Sequence, residues 1–115
     1  MTVEFEIKGQ KFLGLNGGPV FQFNEAISFV INCETQEEVD YYWNRLTQGG
    51  DPNAQQCGWL KDKYGVSWQV VPTILDERIS DPDKEKAGRV MNAMLGMKKL
   101  DIEGIERAYK NEVYA

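Results

Sequence analysis

A lone carboxamide, Gln69, sits in a run whose neighbours are hydrophobic or small, and its placement decides what chemistry this chain could do. From Val66 to Val71 the residues alternate. Val66, Trp68 and Val70 share one face, and Ser67, Gln69 and Val71 share the other. The first face is apolar enough to carry a helix. The second sets one hydrogen-bonding amide on a dry wall, which suits a ligand cavity better than a reaction centre. Histidine is absent, so Ser-His-Asp and Cys-His catalysis are excluded as usually built, together with metal sites that depend on imidazole. No Gly-x-Gly-x-x-Gly or phosphate-loop pattern occurs. Gly17-Gly18-Pro19 lacks the strand-to-helix setting of a phosphate cradle and reads as a turn. Cys33 and Cys57 are too few for a disulfide framework and read as reduced, buried thiols.

The run that carries Gln69 is the second arm of a hairpin, Cys57 to Pro72. Its turn, Asp62-Lys63-Tyr64-Gly65, supplies a turn former and a φ-permissive glycine. Upstream, Ala26 to Cys33 reads as a strand with Ile27, Phe29, Ile31 and Cys33 on one face and Ser28, Val30 and Asn32 on the other. A helix then opens at Thr35, where Thr35-Gln36-Glu37-Glu38 is a capping box. Val39, Tyr42, Trp43 and Leu46 form its core stripe, and Gly49-Gly50 ends it. This order, strand, helix, then two or three antiparallel strands, predicts an α+β arrangement. The helix covers the Ile31/Trp68 side and leaves the Ser28/Gln69 side free.

At the start, Thr2–Ile7 and Lys11–Leu15 predict a hairpin around Lys8-Gly9-Gln10. Phe21 and Phe23 are expected as loop anchors packed on the core. Beyond Pro72 the pattern turns helical. Ser80-Asp81-Pro82 reads as a helix entry with proline in the first helical position, and Asp101 as the cap of a last helix. Met91, Met94 and Met97 belong to ordinary packing.

Composition limits the partners. The 115 residues suit one domain, 42% of them are hydrophobic, and 13 Lys+Arg against 18 Asp+Glu leave a net charge of −5. Such a balance offers no footprint for nucleic acid or an anionic membrane. No apolar run approaches a membrane span and the opening shows no leader pattern, so the expected location is cytoplasmic.

Phe12–Pro19, Ala26–Val30, Glu37–Asp40, Cys57–Gln69 and Met94–Ile102 together resemble the PhnB-like branch of the vicinal-oxygen-chelate superfamily. That superfamily is also described as glyoxalase/bleomycin-resistance/dioxygenase-like, and the branch as 3-demethylubiquinone-9 3-methyltransferase-like. The resemblance implies paired βαβββ modules enclosing a small-molecule cavity. Residues 1–24 would be the remnant of a first module, 25–72 a complete second module, and 73–115 a C-terminal helical extension. It implies a ligand site lined by Ser28, Val30, Ser67 and Gln69, with Asn16 and Trp59 near the mouth. Where metal-using members carry a glutamate, this chain has Gln69, and Ala26 stands where they often place a histidine. A neutral amide and an alanine hold a divalent ion poorly, so no metal ligand and no cofactor is expected. Exposed strand edges predict a homodimer, with an intertwined form among the options. The favoured function is small-molecule binding without catalytic metal. The alternatives are a metal-dependent lyase, isomerase or dioxygenase completed by residues absent here, and a dimeric structural protein.

Overall fold

The computed structural model describes residues 1–111, so that the end of the expected C-terminal extension, residues 112–115, lies outside the described residues. Strands β1 (Thr2–Ile7) and β2 (Gln10–Leu15) form an antiparallel hairpin, with Lys8 and Gly9 both at positive φ in its two-residue turn. A separate three-stranded sheet contains β3 (Ser28–Cys33), β4 (Trp59–Lys61) and β5 (Ser67–Pro72) in the order β3-β5-β4. β3 runs parallel to β5, and β4 antiparallel to it. Helix α1 (Gln36–Thr47) joins β3 to β4 through a 3₁₀ turn at Pro52–Ala54. Three helices complete the chain: α2 (Thr73–Ile79), α3 (Lys84–Leu95) and α4 (Ile102–Lys110).

Two antiparallel strands follow α1, the smaller of the two counts expected. In a β-α-β-β-β order, the isolated bridge between Gln56 and Trp59 stands where a strand between α1 and β4 would lie.

Alternation in the sequence places the core. Ile31 and Cys33 of β3, Trp68 and Val70 of β5 and Leu60 of β4 bury themselves against Val39 and Trp43 of α1. Removing these side chains from water stabilises the fold by about 1.5–3 kcal/mol apiece. Thr35 caps α1 as expected, its hydroxyl accepting from Glu38 N at 3.1 Å, while the Glu38 carboxylate reaches one residue further back, to Glu34 N. A second cluster, Leu75, Val90, Leu100 and Ile105, holds the three last helices together. These helices are tied to the sheet by Cys57 N and Gly58 N, which donate to the carbonyls of Met97 and Lys98 at 2.8 Å. Gln36 adds a clamp from α1, donating to Leu100 O and accepting from Ile102 N.

Three local expectations need correction. The helix expected at Pro82 begins at Lys84, because the Asp83 carboxylate takes the cap and accepts from Glu85 N and Lys86 N. Helix α2 follows Pro72 directly, an element the helical composition alone did not delimit. Phe21 and Phe23 are not packed anchors: Phe21 is 90% exposed and Phe23 is also largely in solvent.

Candidate functional site

Sheet register builds the candidate site. Val30 of β3, Gln69 of β5 and Trp59 of β4 lie directly across from one another in one row. The neighbouring row is Ser28, Ser67 and Lys61. Both rows point away from α1, since the intervening residues Phe29, Ile31, Trp68, Val70 and Leu60 turn to the other side. Five of the six residues expected at a ligand site therefore share one sheet face. The sixth, Asn16, does not join them. It sits at the open end of the hairpin, its backbone N–H donating to Met1 O. Its position depended on how the hairpin meets the sheet, and no local pattern encodes that.

Gln69 is held in place. Its Nε2 donates to Ser28 Oγ at 2.9 Å, which fixes the amide across two strands and leaves Oε1 without a partner among the described residues. Ser67 is buried, whereas Val30 and Trp59 remain open to solvent. Trp59 thus offers a ring face beside a fixed amide oxygen, on a wall that carries no charge in that row. At the rim, Lys61 pairs with Glu25, and this contact draws the Glu25 carboxyl below its ordinary value. Glu25 is thereby a paired rim charge.

The face is a wall and not an enclosed chamber. Cavities lie beside it. One of about 520 Å³ runs between the hairpin and β3, lined by Phe12, Phe29, Ile31, Trp68, Lys8 and Asn32 among others. A second, of about 390 Å³, lies under Phe23 and Asn24 and reaches Phe29 and Ser67. The sequence pattern did not point to the first, because it depends on Phe12 reaching across to Phe29 and Trp68 at 5.4 and 5.9 Å between ring centroids. Aromatic residues at alternating positions were the available signal.

A divalent ion would find poor ligands here. The wall offers two hydroxyls and one amide, its nearest carboxylate is already paired, and no group of three His, Cys, Asp or Glu residues gathers among the described residues. The donor set does not fit a catalytic metal. The two cysteines are free and apart in role. Cys33 is fully buried in the core, where desolvation raises its thiol pKa, and Cys57 occupies a positive-φ turn.

The comparisons with known proteins agree with this architecture. The family described as 3-demethylubiquinone-9 3-methyltransferase matches residues 1–71. The chain belongs to this PhnB-like family. Among solved structures it is similar to a PhnB protein from Bacillus cereus, a candidate 3-demethylubiquinone-9 3-methyltransferase. The two share 35% identity with a TM-score of 0.52 over 64% of each chain. This chain thus spans less than two thirds of that relative's length. No curated protein gives a significant match. The fold is accordingly the glyoxalase-like α+β type, with α2, α3 and α4 lying beyond the matched residues. Among the described residues no helix is long and apolar enough to cross a membrane.

Proposed function

We propose that this PhnB-like protein binds a small molecule on the open face of its β3-β5-β4 sheet, without a catalytic metal. One observation carries the reading: Ser28 fixes Gln69 in the middle of a row whose other members, Val30 and Trp59, are apolar and solvent-facing. A ligand wall of this design, mostly apolar with a few fixed polar groups, is the usual one for small-molecule sites. The ligand that fits it is neutral and planar, with a face for Trp59 and a hydrogen-bond donor for the Gln69 amide oxygen. The family's methyltransferase description is not carried over. A methyl-donor site would call for a glycine-rich strand-to-helix turn and an acidic ribose anchor, and neither pattern occurs in the sequence.

The test is a thermal-shift screen of neutral aromatic metabolites against wild type, Gln69→Leu and Trp59→Ala, with metal analysis of the same preparation. Hits that raise the wild-type melting temperature and lose their effect in both variants support the reading. Stoichiometric bound zinc, nickel or iron, or hits indifferent to both substitutions, would overturn it.

A further inference from the structure

On a sheet face that is otherwise open, Ser67 is only 2% exposed. The segment ahead of β3 lies against it. Phe23, Asn24 and Ile27 line one side of the 390 Å³ cavity, and Ser67, Val66 and Phe29 line the other. Glu25 of the same segment pairs with Lys61, which stands opposite Ser67 across the β4–β5 ladder. The cavity is within the size range of small-molecule sites, and none of the residues lining it is charged.

The Ser67 hydroxyl has no hydrogen-bond partner among the described residues. Buried polar groups are ordinarily paired, because a hydroxyl taken out of water without a partner loses hydrogen bonds and regains none. Every fully enclosed side-chain nitrogen or oxygen among the described residues does have a partner, so the Ser67 oxygen is not sealed in. It opens into the cavity that Ser67 lines. Along β5 it lies two residues from Gln69 on the same face, a separation of roughly 7 Å along the strand. Gln69 Oε1 is free as well, since Ser28 engages only Nε2. Two unpaired oxygens thus stand in line, one on the open wall beside Trp59 and one at an apolar pocket.

We infer that this pocket extends the proposed ligand wall, a reading on which the placement of the ligand's ring rests, and that Ser67 selects the ligand's chemistry. Trp59 and Gln69 hold the planar ring and its hydrogen-bond donor. The Ser67 hydroxyl donates to a carbonyl oxygen at the opposite end of the ring, and an apolar arm beyond that carbonyl fills the space beside Phe23. The ligand class is therefore a neutral aryl carbonyl compound, a ketone or an amide, with a donor at the far end of its ring. A charged arm would find no counterion, because the lining carries no charge and Lys61 is already paired with Glu25.

Isothermal titration calorimetry of the full chain with para-aminoacetophenone, para-aminopropiophenone and para-aminobutyrophenone tests it. The dissociation constant is expected to fall about fourfold with each added methylene, the increment for burial in an apolar pocket. Phe23→Ala, at a largely exposed position that leaves the core untouched, abolishes that increment. Ser67→Ala weakens the ketones about fivefold and leaves para-butylaniline, which lacks the carbonyl, unchanged. Because the hydroxyl has no partner in the fold, Ser67→Ala also leaves the melting temperature unchanged or raises it, whereas loss of a structural serine would lower it. Ketones that fail to bind, a missing methylene increment, or a Ser67→Ala variant that melts lower and binds normally would overturn the inference. Binding lost in Gln69→Leu but indifferent to Ser67→Ala and Phe23→Ala would overturn the pocket and spare the wall. Binding weakened by Ser67→Ala and Phe23→Ala but indifferent to Gln69→Leu would support the pocket and overturn the wall.

Discussion

Single side chains in the β4–β5 hairpin carry more than one duty each. The Asp62 carboxylate accepts from Tyr64 N, Val66 N and the Trp68 indole Nε1, at 2.8, 3.0 and 2.8 Å, and so fixes both the turn and the orientation of a core ring. Asp62→Ala is expected to cost about 2–3 kcal/mol, because three donors lose a charged acceptor together. Urea denaturation would show it as a lower midpoint at unchanged slope. Gly58 has a different burden. It lies at φ +85°, and a Cβ there would meet Leu100 Cδ1 at 2.8 Å and Val70 O at 3.1 Å. Gly58→Ala is therefore expected to lower stability by more than about 1 kcal/mol and to loosen the docking of α4, which amide exchange at Ile105 would report. Gln69→Leu is the mild counterpart. It removes one half-exposed hydrogen bond, costs no more than about 1 kcal/mol, and spares the fold while abolishing ligand effects.

Among the elements, alternation told most of what the sequence could tell. It separated the Ile31/Cys33 and Trp68/Val70 faces from the Ser28/Val30 and Ser67/Gln69 faces, and the structure packs α1 on the first of these. A period-2 pattern reports which residues share a face, but not what covers the face. That is why the lower part of β3 escaped: Phe29 belongs to the helix side, yet Phe12 of the hairpin reaches it and α1 leaves it half open. The start of α3 escaped for a local reason, since Asp83 outcompetes Pro82 for control of the first turn. The hairpin's attachment rests partly on charge. Lys8 donates to Glu38 at 2.7 Å, which holds the Glu38 carboxyl below its usual 4.5 and raises the Lys8 ammonium above 10.5. A depressed carboxyl contributes stability that is present above about pH 4.5 and is lost as pH falls through its folded value. A raised ammonium contributes stability that is present below its ordinary value and lost on alkaline titration. The tie therefore acts between these limits and fails at either extreme. Amide protection, corrected for the intrinsic exchange rate at each pH, is expected to fall in β1 and β2 on acidification before it falls in α1. Uniform behaviour of the two elements would contradict this.

At the scale of the whole molecule the chain is longer than its length requires. Its radius of gyration is 16.2 Å and its extents are 53 × 28 × 26 Å, against about 13 Å for a compact domain of this length. The candidate site was legible as far as strand register reaches: Ser28, Val30, Trp59, Ser67 and Gln69 come together because each lies in the same sheet. Asn16 and the groove beside β3 were not, because both depend on how two separate sheets meet. The direct measurement is two-dimensional nuclear magnetic resonance of isotope-labelled protein titrated with neutral aromatic fragments. Ligand binding on the open sheet face moves the Gln69 side-chain amide, the Trp59 indole N–H and the Val30 amide together, with a common dissociation constant. Fragments that shift only α3 and α4 signals, or that leave those three unmoved, would contradict it.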